Sequence, residues 1–241
     1  MDRAWFEYKG VNSIDMYMHI ENDISFPSPE ADVEFVEVLG RDGEVAIDNN
    51  RLKSVNFSIP IRLKPPRNKD INQVATEISN WFKEEIGWFP LRFSGSPDYE
   101  YIAIQYEQFD IQETLKQYGK TVITFKLKPY KRKINTEIIE VSNGMSITNQ
   151  ESKSSKPLIK IYGTGDITIK NNDKDWIRLK AVDEQITIDS ELMTVYRDTR
   201  PQYEKMIDLG AFPILNTGNN VISWTGNVTR MELEPRWVAI T

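Results

Sequence analysis

The sequence predicts a mainly β protein of two domains: an α+β N-terminal domain, in which one helix docks on a β-sheet, and a C-terminal β-sandwich. Three observations carry that reading. Only one stretch of the 241 residues, Asp70 to Gly87, has helical periodicity. Val55, Phe57, Ile59, Ile61 and Leu63 alternate strictly with Asn56, Ser58, Pro60, Arg62 and Lys64, as in a strand with one buried face. Beyond Lys133 every apolar run is short and ends in a Gly, Asn or Asp turn signal.

In the helical stretch Asp70 stands as N-cap with Gln73 three residues on, the spacing of a capping box. Ile71, Val74, Ile78, Trp81 and Phe82 then make one apolar stripe, and Gly87 reads as the stop, placing the helix over 71–86. Such a stripe cannot bury itself, so neighbouring strands must give Trp81 and Phe82 a sheet to lie on.

Ahead of the helix, Trp5, Phe6 and Tyr8 read as a short strand, and the two prolines of Ile24-Ser25-Phe26-Pro27-Ser28-Pro29 force an extended path. Val33 to Leu39 and Glu44 to Ile47 flank Gly40-Arg41-Asp42-Gly43, which predicts a β-hairpin over about 33–48. Pro60 cannot donate to a ladder, so the strand that holds it is expected at an edge or at a bulge. After the helix, Trp88 to Phe93, Tyr99 to Tyr106 and Gly119 to Leu127 return to strand, and the basic run Lys128-Pro129-Tyr130-Lys131-Arg132-Lys133 reads as a solvated linker. The domains are therefore expected at 1–132 and 133–241. In the second, Gly163-Thr164-Gly165, Asn171-Asn172-Asp173 and Gly226-Asn227 are among the expected turns.

Composition narrows function by exclusion. Thirty basic against 36 acidic residues leave a formal charge of −6, so no general basic field is available to nucleic acid or an anionic membrane. With no cysteine, disulfides, thiolate metal sites and a cysteine nucleophile are excluded. No apolar core of a signal sequence follows Met1-Asp2-Arg3-Ala4-Trp5 and no run is long enough to span a bilayer, which predicts a chain neither secreted by a standard signal nor membrane-inserted.

Catalytic and metal chemistry find little to build on. His19 is the one histidine and reads as structural or interfacial, with neither a nucleophile elbow nor an oxyanion loop to complete a triad. Asn171 to Asp175 lacks the glycine and distal glutamate of a calcium loop, and the stretch after Gly165 alternates as a strand instead of opening a phosphate-binding helix. Carboxylate pairs, Asp183 with Glu184 and Asp189 with Glu191, are what a glycosidase would need, and in this turn-rich chain they read as solvated loops. No catalytic residue, metal site or cofactor is assigned. Trp176 and Trp224, with Tyr196 and Trp237, could instead form a platform for stacking sugars, the reading of a carbohydrate-binding module, although large rings also fill sandwich cores.

The order of segments adds a resemblance. The hairpin at Gly40-Arg41-Asp42-Gly43, the long alternating strand, one helix ending near Trp81, Leu91-Arg92-Phe93 and the pair Tyr99 and Tyr101 resemble the N-terminal half of the distal tail proteins of long, flexible-tailed phages. Pro157 to Gly165, Phe212 to Ile222 and Thr225-Gly226 resemble that family's C-terminal half. The resemblance implies a non-enzymatic hub: a hexameric ring, single or stacked, that joins the tail tube to tail-tip, lysin or baseplate proteins. It implies passage of DNA through the lumen without specific binding, a galectin-like second domain, and a place in the virion after assembly in the host cytoplasm. It also implies that the hairpin, with Gly40, Arg41, Asp42 and Gly43 at its turn, is a belt clasping the next subunit.

Overall fold

The computed structural model describes residues 4–21, 24–115, 118–207 and 210–241. Two compact units divide the chain, Met1–Lys131 with Ile240–Thr241, and Arg132–Ala239.

The first unit holds β1 (Phe6–Tyr8), β2 (Val11–Asn12), β3 (Met18–Ile20), β4 (Ala31–Glu37), β5 (Glu44–Leu52), β6 (Val55–Leu63), α1 (Ile71–Lys83), β7 (Phe89–Phe93), β8 (Tyr99–Ile104), β9 (Gln112–Leu115) and all but the last two residues of β10 (Tyr118–Lys133). The main sheet runs β2-β1-β7-β8-β10-β6-β3, and β9 pairs with the start of β10. Ile71, Val74, Ile78 and Phe82 turn the buried stripe of α1 onto a core of Phe6, Tyr8, Ile59, Ile61 and Phe125. Phe82 meets Phe125 edge-on at 5.9 Å, and Trp81, only partly buried, stacks on Phe6 at 6.3 Å.

The capping box forms: the Gln73 amide donates to Asp70 Oδ1 at 2.8 Å, and the Asp70 amide donates to Gln73 Oε1 at 3.2 Å. The other end departs from expectation, because α1 stops at Lys83 and Gly87 is not in the left-handed region. Lys9 takes the capping role, its ammonium donating to the carbonyls of Trp81 (3.4 Å), Phe82 (3.5 Å) and Glu85. A cation on the terminal carbonyls favours the helix electrostatically as well as satisfying acceptors.

One further expectation, the edge at Pro60, is narrowed to one side of β6, and another is corrected. β6 is paired along its whole length with β10, from Val55 opposite Leu127 to Leu63 opposite Gly119, and its other side is covered by β3 only at Ile61, Arg62 and Leu63. Pro60 lies beyond the last of these pairs, with its carbonyl accepting from Glu21 N at 3.0 Å. In an antiparallel strand a residue's N and O share a side, so the missing N–H faces away from β10 and breaks no bond there. The basic run 128–133, within which the boundary between the two units falls, is not irregular chain but the end of β10, where Lys131 lies 4.9 Å from the Tyr99 ring and Lys128 5.3 Å from that of Trp88. Thr241 closes against the same stretch, its amide donating to Pro129 O at 3.0 Å.

The second unit holds β11 (Ile139–Glu140), β12 (Met145–Asn149), β13 (Leu158–Asn171), β14 (Lys174–Val182), β15 (Gln185–Asp189), β16 (Thr194–Arg197), β17 (Arg200–Pro201), β18 (Met206–Ile207) and β19 (Gly218–Glu234), with β20 (Val238–Ile240) leading back to the first unit. Gly163-Thr164-Gly165 and Gly226-Asn227 are not hairpin turns; they interrupt the register of two long strands that remain paired to each other. One half of β13 pairs with β15 and the other with β14, so each long strand feeds two groups of partners. Ile159, Ile161, Ile186 and Leu233 from one end and Ile167, Ile169, Ile177 and Ile222 from the other merge into a single core.

A buried ion pair fastens the end of this unit. Asp189, 3% exposed, receives Arg236 Nη1 at 2.9 Å on Oδ1, which also accepts from the amides of Glu191 and Leu192 at 3.0 Å. Burial alone would raise the Asp189 carboxyl, but the Arg236 guanidinium and the two amides hold it below the usual range. A pKa lower in the folded than in the unfolded chain stabilises above the ordinary carboxylate value, about 4, and that contribution disappears as pH falls through the folded value. Asp189→Asn is expected to cost on the order of 3 kcal/mol at pH 7. Urea midpoints measured between pH 7 and pH 3 should fall less steeply for the variant; parallel curves would refute the assignment.

Candidate assembly surface

The hairpin β4–β5 stands apart from both large sheets as a two-stranded sheet of its own. Its tip is built by Gly40 and Gly43, both left-handed (φ 79° and 78°) with open space around them, and the Arg41 amide donates to Val38 O at 3.1 Å. Gly40, Arg41, Asp42 and Gly43 are all exposed. The root is tied by Asp32, whose carboxylate meets Arg51 and, at 3.8 Å, Lys53. The Arg51 hydrogen bond holds the Asp32 carboxyl below its ordinary value.

The ladder places Glu37 opposite Glu44, Phe35 opposite Ala46 and Val33 opposite Asp48, all on one face; Val36, Val45 and Ile47 lie on the other. Phe35 is 62% exposed and Leu39, at the tip, fully so. A lone two-stranded ribbon is marginal in water, and like charges directly opposite each other weaken it further. Apolar side chains on both faces, unpaired edges and a facing carboxylate pair make a surface that gains free energy when another surface covers it. The hairpin is longer than its alternation reveals, 31–52 instead of 33–48. Its base runs through Asp48-Asn49-Asn50-Arg51, where polar residues hide the period and Asp48 Oδ1 accepts from Asn50 N in a local turn.

The structure does not bring the tryptophan candidates into ring contact. Trp176 sits at a register shift of β14, with its indole N–H donating to Ile214 O at 3.1 Å; Trp224 lies opposite Ile169 in β19. Both rings pack in part against the second core. Of the carboxylates, Asp183 and Glu184 both pair with Arg197, and Asp189 is spent on Arg236. His19 lies in β3 opposite Arg62. Among the described residues, no group of three His, Cys, Asp or Glu is gathered as a metal ion would require, and no helix is long and apolar enough to cross a membrane.

Comparison with known proteins bears on this geometry. Residues 12–127, which include the hairpin, β6, α1 and most of β10, match the model of the phage tail protein RIFT-related domain. The segment belongs to that phage tail family. The similarity continues past the domain: the Dit protein of phage SPP1, described as a paradigm of hub adsorption apparatus in phages infecting Gram-positive bacteria, superposes with a TM-score of 0.77 at 13% identity, over 97% of this chain and 99% of that one. The chain thus carries the phage distal tail fold from end to end, mostly β with one helix. Two structures of the phage P2 baseplate in its activated conformation, with calcium and with strontium, also match at 11% identity with TM-scores of 0.47 and 0.48, over 97% and 96% of each chain. No curated protein matches.

Proposed function

We propose that this phage tail protein is a structural hub of the virion without catalytic activity: six copies close a ring between the tail tube and the tail-tip, lysin or baseplate proteins. The observation that carries the reading is the isolated hairpin, which presents Phe35, Leu39 and Ile47 to solvent on a ribbon with no core of its own. Ring closure requires a heterologous contact, one surface of a subunit meeting a different surface of the next, and a projecting ribbon is suited to that. The acidic balance also suits a lumen that passes DNA without holding it. In this reading assembly takes place in the host cytoplasm, and the second unit, which the resemblance makes galectin-like, serves the attachment of other tip proteins.

Light scattering on the size-exclusion peak tests the ring. Six subunits of 28.0 kDa give roughly 170 kDa, and stacked rings a multiple of that. Deleting Gly40 to Gly43 is expected to leave the far-ultraviolet circular dichroism unchanged while shifting the mass toward the monomer. A deletion variant that assembles like the parent would refute the belt.

A further inference from the structure

The proposed belt leaves open where it lands, and the answer can be read from residue rows that repeat on two surfaces of the first unit. On the hairpin face described above, successive rows across the strands are Glu37 with Glu44, then Phe35 with Ala46. On the solvent face of β6–β10, successive rows are Arg62 with Lys120, then Pro60 with Val122, while Ile59, Ile61, Thr121 and Ile123 turn to the core. One surface carries an anionic pair beside an apolar pair; the other carries a cationic pair beside an apolar pair. Since side chains on one face of a strand recur every second residue at the same rise, the two sets of rows have the same spacing.

Both surfaces are also incomplete alone. Glu37 faces Glu44 with no cation between them among the described ion pairs, and Arg62 faces Lys120 with only Glu21 to neutralise the two. Val122 is 53% exposed in the middle of a sheet, and it borders, with Pro60, Phe109, Lys120 and the carboxylates Glu21 and Asp110, a depression of about 380 Å³ able to receive a side chain the size of Phe35. Further along the strip Lys126 supplies another cation, and further along the same hairpin face Asp48, opposite Val33, supplies another carboxylate. Complementary potential of this kind fixes register and suppresses wrong pairings.

We infer that the Phe35 face of the hairpin docks on the β6–β10 strip of a second copy of this chain, with Glu37 and Glu44 on Arg62 and Lys120 and Phe35 against Pro60 and Val122. The inference rests on the belt reading and names the belt's acceptor.

Charge exchange between full-length copies tests it. Glu37→Lys and Lys120→Glu are each expected to raise the concentration needed for assembly about tenfold, as like charges meet at the contact. A one-to-one mixture of the two variants should recover assembly, because each then offers the hairpin that the other's strip requires. Recovery in the mixture requires a contact between copies and could not come from repair of a fold. The cysteine-free background allows a second readout: Phe35→Cys with Val122→Cys should give a ladder of disulfide-linked species under oxidation. Failure of both readouts in a chain whose assembly still depends on the hairpin overturns the acceptor and leaves the belt standing. Assembly indifferent to deletion of Gly40 to Gly43 overturns the belt itself, and a wild-type chain monomeric at every concentration overturns both.

Discussion

Gly163→Ala is expected to destabilise the second unit by about 4 kcal/mol or more, in the range reserved for substitutions that force backbone apart. A Cβ built on Gly163 would sit 2.2 Å from the carbonyl oxygen of Asn227 and 3.1 Å from Ile167 Cδ1. The first neighbour is backbone in the paired strand β19, so no rotamer change can relieve the contact. Gly226 presents the mirror problem, its Cβ meeting Asp166 O at 2.3 Å from a left-handed φ of 102°. These close approaches lie where β13 and β19 shift register, and opening either one would separate the strands that supply Ile161, Ile167 and Met231 to the core. Gly144→Ala is the control. Like Gly226 and unlike Gly163 it has a left-handed φ, at 83°, but open space surrounds it, so only the conformational cost of about 1 kcal/mol applies. Urea unfolding of the three proteins by circular dichroism decides the matter: a Gly163 variant within 1 kcal/mol of the Gly144 variant would show that the crossing is not tight.

The same glycines show where sequence reading stops. A Gly-rich tripeptide between two alternating runs has one local signature whether it turns the chain back or lets a continuous strand approach another backbone. Only the partner strand, more than sixty residues away in sequence at Asn227, distinguishes the two. Local chemistry was enough for the start of α1, where cap and reciprocal side chain lie three residues apart, and for the inward residues of β6, whose period is unbroken. It was not enough for the end of α1, because the cation on the last carbonyls is Lys9, far upstream in a turn after β1. The hairpin tip was legible through Gly40 and Gly43, which its turn requires. Its acceptor strip was visible only as the polar half of an alternating strand. Nothing in that alternation says that Arg62 stands opposite Lys120, or Pro60 opposite Val122, until the register with β10 is known.

Phe82→Ala carries the largest effect expected in the first unit, a loss of about 3–5 kcal/mol for removing a fully buried ring that the surroundings cannot collapse to fill. Phe82 touches Tyr8 at 6.0 Å, Trp81 at 4.6 Å, Phe109 at 5.7 Å and Phe125 at 5.9 Å, so its removal strips one side from four rings on α1, β1, β10 and the segment before β9. Trp81, next to it and larger, is only partly buried, and Trp81→Ala should therefore cost less than Phe82→Ala despite deleting more atoms. That ordering separates burial from size as the cause. It also bears on assembly, since α1 and β10 share the core beneath the strip that carries Lys120 and Val122. A Phe82→Ala chain should lose both thermal stability and assembled mass, whereas Lys120→Glu should lose mass while keeping its melting temperature within a few degrees. Equal loss of melting temperature in the two variants would mean that Lys120 supports the fold and not the contact between copies.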